Sequence, residues 1–280
     1  MPDPSGRPTA LTLAGSDSGG GAGLQADLKA FEANGVFGMS VVTALTAQNT
    51  QTVTAVHAVP PAFVSAQIDA VASDLPVGAV KTGMLATAGV VHAVADGLAR
   101  WALAPVVVDP VMVSTGGDLL LEADAVEAVR SRMLPLAALL TPNVHEAAVL
   151  AGMEVRTLAD AGRAADRLLA QGPAAVLLKG GHLDDEDDAV DLLVTADGAA
   201  WTFRQPRVDT TSTHGTGCTL ASAIAAHLAR GRSLLDAVGH ARAYLQGALV
   251  HATPLGGGHG PVAHGWASGR DVTPVMPERL

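Results

Sequence analysis

The feature that most limits what this chain can fold into is a recurring alternation. Short, nearly continuous apolar runs at 10–14, 40–47, 77–81, 105–108, 137–140 and 175–178 are separated by stretches with helical spacing. Strands this apolar are expected where both faces of a sheet are covered. The intervening segments carry Val64, Ile68 and Val71, then Val90, Val91, Val94 and Leu98, and later Leu220, Ile224 and Leu228, each set on one helical face. The alternation predicts an α/β fold with a mainly parallel central sheet and helices on both faces. Two segments break the pattern. Residues 53–59 read as a strand before Pro60 and Pro61, and 190–195 pairs with 199–203 across Ala196, Asp197 and Gly198, an Asp-Gly hairpin signal. A small antiparallel edge is therefore expected.

A chain of 280 residues with 49% hydrophobic types can bury one large core, so a single domain over 10–266 is expected. Residues 1–9 read as a flexible N-terminal tail and 267–280 as a C-terminal tail. The apolar stretches at 104–108 and 190–194 are far shorter than the roughly 18 residues a membrane span requires. The proline-rich start lacks a basic segment followed by an apolar one and does not read as a signal peptide. A soluble, cytoplasmic protein without a membrane partner is expected. Cys218 is the only cysteine, which excludes an intrachain disulfide. A net charge of −10 and 3% aromatics oppose nucleic-acid binding. The same charge would repel an anionic nucleotide, so a phosphate site needs local positive potential from helix termini, lysines or a metal ion. The acidic run at 184–188 reads as a solvated loop.

Two glycine-rich stretches open helices. The first, from Gly15 through Gly23, contains the dinucleotide pattern G-x-G-x-x-A at 21–26, but the next strand ends in Ala47-Gln48-Asn49, with no acidic residue to hold a ribose. NAD is excluded on that ground, and the absence of G-x-x-x-x-G-K-[ST] excludes P-loop chemistry. The second stretch, Thr213-His214-Gly215-Thr216-Gly217-Cys218, leads into the helix of Leu220 and Ile224. Gly215 and Gly217 permit a turn whose backbone N–H groups converge on an anion at a helix N-terminus; an ordinary helix start is the plain alternative. Other candidates stand at strand ends, where open α/β sheets gather ligands. Asp109 and Glu146 suit a magnesium ion that keeps most of its waters, Asn143 lies between them in sequence, and Lys179 can neutralise phosphate oxygens. Taken singly, Asp109 could be a helix cap, Glu146 a surface residue and Lys179 a solvated lysine.

These landmarks together resemble the bacterial hydroxymethylpyrimidine/phosphomethylpyrimidine kinases of thiamin biosynthesis. The resemblance is carried by Ala14-Gly15-Ser16-Asp17 with 19–27, Thr43 to Thr50, Lys81-Thr82-Gly83-Met84-Leu85, and Val107-Val108-Asp109-Pro110-Val111-Met112. It continues through Thr141-Pro142-Asn143 with Glu146, Lys179-Gly180-Gly181-His182 and Thr213 to Cys218, covering about residues 11–266. It implies a ribokinase-like fold, a homodimer, and two ATP- and Mg2+-dependent phosphorylations of 4-amino-5-hydroxymethyl-2-methylpyrimidine, to the monophosphate and then the diphosphate. It places Gln48, Asp27, Gly15, Met84 and Val111 in the substrate pocket, with Lys179, Asn143 and Thr216 at the nucleotide and Asp109 and Glu146 at the metal. Gln48 also fits on chemical grounds, since a carboxamide offers an acceptor to an amino group and a donor to a ring nitrogen. Cys218, with Lys179, Gly215 and Gly217, falls at the catalytic turn, where many sugar kinases carry an aspartate base. A helix N-terminus can lower a thiol pKa, which would suit Cys218 as a base. A pyridoxal kinase of the same fold and an inactive pyrimidine-binding regulator are the competing readings. His214 reads as structural.

Overall fold

The computed structural model describes residues 6–112, 123–181 and 183–280. Residues 1–5 of the expected N-terminal tail and His182 of the Lys179 landmark lie outside them. In chain order the elements are β1 (Thr9–Asp17), α1 (Gly23–Ala33), β2 (Phe37–Gln48), β3 (Val53–Ala58), α2 (Pro61–Ala72), β4 (Ala79–Thr82), α3 (Ala88–Arg100) and β5 (Val106–Val108). They continue with α4 (Ala123–Ala128), β6 (Leu139–Leu140), α5 (Val144–Ala151), α6 (Leu158–Leu169), β7 (Ala175–Leu178), β8 (Ala189–Thr195) and β9 (Ala200–Gln205). Two long helices, α7 (Thr216–Ala229) and α8 (Leu234–Val250), precede a last short strand, β10 (Glu278–Arg279).

The ten strands among the described residues form one sheet in the order β10-β9-β8-β7-β6-β5-β4-β1-β2-β3. The pairs from β2 through β1, β4, β5 and β6 to β7 are parallel. Antiparallel pairing occurs at both ends, β2 with β3 on one side and β7 through β10 on the other, and it includes the 53–59 strand and the 190–203 hairpin expected from the sequence. Burial on both faces explains the unbroken apolar strands. In β5, Val106 and Val108 face one core with α3 and α6 while Val107 faces the other with α7 and α8; in β7, Val176 and Leu178 divide from Ala175 and Leu177 in the same way. No described helix is long and apolar enough to cross a membrane.

Both expected tails are tied down where the structure describes them. Arg7 pairs with Glu32 at 2.7 Å and stacks over Phe37, and the Pro8 carbonyl accepts the Phe37 N–H. Residues 267–280 are a strap rather than a trailing tail. Ala267 is buried, the Val275 N–H donates to the Gly239 carbonyl, and Glu278 and Arg279 pair with Thr202 and Trp201 of β9. The physical reason is the sheet edge: β9 would otherwise present unpaired backbone groups, and the strap covers them.

Candidate active site

The parallel strands all end on one side, and a cavity of about 990 Å³ opens there, against the N-terminus of α7. Of the residues the sequence pointed to, Gly15, Gln48, Met84, Asp109, Val111, Asn143, Glu146, Lys179 and the turn Gly215 to Cys218 line it. Asp27 does not. It lies wholly buried beneath the floor, where Lys81 reaches both of its carboxylate oxygens at 2.9 Å and the hydroxyls of Thr12 and Ser222 donate to it at 2.6 and 2.7 Å. These contacts tie Asp27 to β1, β4 and α7.

One end of the cavity is built from α7 and the ends of β5, β6 and β7. Gly215 takes φ +82, and a side chain there would overlap the Gly21 carbonyl, so the turn requires glycine. The first N–H groups of an α-helix have no intrahelical acceptor, and in α7 that first turn, Thr216 to Cys218, forms cavity wall. Lys179 faces it from the end of β7: its ammonium lies 2.8 Å from Asp109 Oδ1 and 3.8 Å from Glu146 Oε2, and a Cβ on Gly217 would come within 3.3 Å of it. Burial opposes a charged Lys179, but Asp109 and Glu146 outweigh it and raise the lysine pKa. Glu146 moves the other way. Burial pushes its carboxyl up to about 7, with Lys179 pulling down and Asp109 pushing up.

Asn143 and Glu146 form a capping box at the start of α5. Asn143 Oδ1 accepts the Glu146 N–H and Glu146 Oε2 accepts the Asn143 N–H, each at 2.8 Å. One carboxylate oxygen of Glu146 is thereby fixed, which orients the group toward Lys179. Among the described residues no cluster of three or more His, Cys, Asp or Glu could hold a metal by itself. Asp109 and Glu146 instead fit a magnesium ion bound chiefly by phosphates and water, which needs only one or two carboxylates.

Cys218 departs from the sequence expectation. Burial pushes its thiol up to about 11; Lys81 and the Gly23 N–H favour the thiolate, but Asp27 and Asp109 add to the opposition.

Elsewhere on the cavity wall, Met84 and Val111 pack with Ala44 and Ala86. Gln48 ends β2, braced by Ser18, whose hydroxyl donates to the Gln48 carbonyl at 2.6 Å. His214 sits beside it, joined at 2.8 Å to Asp17, whose carboxylate also accepts the N–H groups of Gly19, Gly21 and Ala22. Asp17 and Thr46 line the cavity although sequence reasoning did not single them out, the signal being their place within matched motifs, and His214, read from the sequence as structural, lines it too. Arg207, at another wall, donates to the carbonyls of Gly181, Glu186 and Asp187, and nothing in its sequence surroundings marks it. The acidic run is a surface loop, as expected, with Glu186 paired to Arg204 at 2.6 Å.

Comparison with known proteins agrees with this geometry. The chain is 53% identical over 262 residues to the hydroxymethylpyrimidine/phosphomethylpyrimidine kinase of Streptomyces coelicolor, covering 94% of this chain and 96% of that one. The Escherichia coli protein of the same name is 48% identical over 261 residues, covering 92% and 97%. Among solved structures, phosphomethylpyrimidine kinase from Clostridium difficile superposes with a TM-score of 0.77 at 41% identity, covering 86% of this chain and 98% of that one. Pyridoxal kinase from Staphylococcus aureus, in complex with AMP-PCP and pyridoxal, gives 0.88 at 31% identity, covering 98% and 100%. The family profile of phosphomethylpyrimidine kinase matches residues 17–263, from the aspartate that holds His214 to the segment following α8, and the chain belongs to that family.

Proposed function

We propose that this protein transfers the γ-phosphoryl group of ATP to the hydroxymethyl oxygen of 4-amino-5-hydroxymethyl-2-methylpyrimidine, and then a second phosphoryl group to the resulting monophosphate. The observation that carries this reading is that Gln48, which suits a 4-aminopyrimidine edge, shares one cavity with the Gly215–Cys218 turn and Lys179. In each step the acceptor oxygen forms a bond to the γ-phosphorus, the bond from that phosphorus to the departing ADP oxygen breaks, and charge spread over the equatorial oxygens needs neutralising. Lys179 and the first-turn N–H groups of α7 supply that neutralisation. Asp109 and Glu146 would hold magnesium, which adds charge neutralisation at the phosphates when bound. The first acceptor is an alcohol with a proton to lose; the second is an ionised phosphate oxygen that needs no base.

Pyridoxal kinase chemistry has support from shape, while the higher sequence identities lie with the pyrimidine kinases. A binding protein without catalysis would not need Lys179, Asp109, Glu146 and the glycine turn, all of which are present and converge. The same reading carries a homodimer and a cytoplasmic setting. Gln48→Ala tests the assignment: kcat/KM for the aminopyrimidine alcohol should fall by at least about tenfold with KM for ATP unchanged. Unchanged kcat/KM would contradict the reading.

A further inference from the structure

Asp191 of β8 and Arg242 of α8 line the cavity as a buried ion pair, 2% and 6% exposed, with Asp191 Oδ2 at 3.2 Å from Arg242 Nε. Neither of these two atoms makes a hydrogen bond, so each is compensated by the charge of the other. Such a pair is a weak source of stability. Taking two charges out of water costs about what their attraction returns, and an apolar pair of similar volume often stabilises a fold as well or better. The place of this pair in the fold gives it another use. The β7–β8 ladder ends at Leu178 opposite Leu192, and the next residue is Lys179. Beyond the ladder Lys179 bridges to Asn143, and its N–H donates to the Pro142 carbonyl at 2.8 Å. The following N–H, that of Gly180, donates to Asp191 Oδ1 at 3.0 Å. A side chain at Gly180 would overlap the Val190 carbonyl, so the close approach to β8 requires glycine. Both peptides that flank the Lys179 Cα are therefore held, one by backbone and one by a carboxylate. Arg242 holds that carboxylate from α8 and is itself tied to β8, its Nη2 donating to the Ala189 carbonyl at 3.3 Å.

We propose that Asp191, held by Arg242, is a positioning residue for phosphoryl transfer: it fixes the Lys179–Gly180 peptide and so keeps the Lys179 ammonium beside Asp109, facing the first turn of α7. The inference rests on the role of Lys179 given under the proposed function. A lysine ammonium stands on a flexible stem, so the direction in which the backbone launches that stem decides where the charge can act. A hydrogen bond to a carboxylate is stronger than one to a neutral oxygen, which suits an acceptor that must hold a peptide plane at the end of a strand. Arg242 keeps the carboxylate from turning away and is the second member of the same device.

The test measures kcat, KM for the pyrimidine alcohol, KM for ATP and the urea midpoint in Arg242→Met, Arg242→Lys and the double variant Asp191→Leu with Arg242→Met, each with and without Lys179→Met. The double variant strands no charge, so its urea midpoint should equal or exceed that of wild type. Its kcat should nevertheless fall by about tenfold or more, with both KM values within about twofold of wild type. Arg242→Lys, which keeps a cation, should recover most of the kcat lost in Arg242→Met. On top of Lys179→Met the double change should lower kcat by less than about twofold further, because it acts through that lysine. Full kcat in the double variant overturns the inference, as does a full further loss on top of Lys179→Met, or a loss confined to KM for ATP, which would make the pair a nucleotide contact. If the double variant does not fold, Arg242→Met and Arg242→Lys, with and without Lys179→Met, are held to the same criteria. Lys179→Met with wild-type kcat defeats the role of Lys179 and this inference together; Lys179→Met that loses kcat while the variants of the pair retain it defeats this inference alone.

Discussion

The Lys81 ammonium lies 2.9 Å from both carboxylate oxygens of Asp27, and neither side chain has any exposed surface. The pair joins β4 to α1, while Thr12 and Ser222 extend it to β1 and α7. Ser222 stands one helical turn after Cys218, so this buried pair anchors the helix that follows the Gly215 turn. Removing one partner strands the other charge out of water. Lys81→Met should cost about 3–5 kcal/mol of unfolding free energy. Combining it with Asp27→Asn should cost less than the sum of the two single changes, measured by urea unfolding. Additive losses would contradict direct coupling.

Lys179 is the cation facing the turn, poised between Asp109 and Glu146. Lys179→Met should lower kcat by about 10²–10³ while the variant still binds the pyrimidine, because its charge matters where phosphoryl charge develops. Loss of pyrimidine binding with kcat intact would place Lys179 elsewhere in the mechanism.

Cys218, with its thiol pushed up to about 11 by burial, should react sluggishly with iodoacetamide at neutral pH compared with a free thiol. Cys218→Ser should slow the first phosphorylation more than the second, since only the alcohol acceptor has a proton to lose. Equal losses in both steps would remove any role in deprotonation.

His227 is buried with its ring 4.9 Å from that of His240, and burial, aided by His240, Arg232 and Arg230, pushes its pKa down to about 3. Asp271 opposes this weakly. A depressed folded pKa gives stability that is present above the ordinary histidine value of 6.5 and is lost as pH falls toward about 3. His227→Phe keeps a ring without the titration, so its acid-unfolding midpoint should move to lower pH. An unmoved midpoint would assign the acid sensitivity to other groups, such as His264, which burial pushes down to about 4.

Much of this was legible in the sequence because the central strands are buried on both faces and write that burial as unbroken apolar runs. The converging strand ends then followed from parallel order, bringing Asp109, Asn143, Glu146 and Lys179 to one side. What could not be read depends on partners distant in sequence. Asp27, on α1, gives no sign of burial until Lys81 of β4 is brought against it. The thiol of Cys218 could not be assigned from its helix position alone, since Asp27 and Asp109 push the other way. The 267–280 strap has no periodic pattern, and β10 exists only because the edge of β9 accepts it.

The most direct test of the central claim is incubation of the purified protein with Mg2+ and ATP and, separately, the hydroxymethylpyrimidine, its monophosphate and pyridoxal, with products followed by mass spectrometry. The account predicts that the alcohol gains two phosphoryl groups in succession and the monophosphate gains one, both ending at the diphosphate, and that pyridoxal is converted far more slowly. Efficient turnover of pyridoxal with neither pyrimidine converted would contradict it.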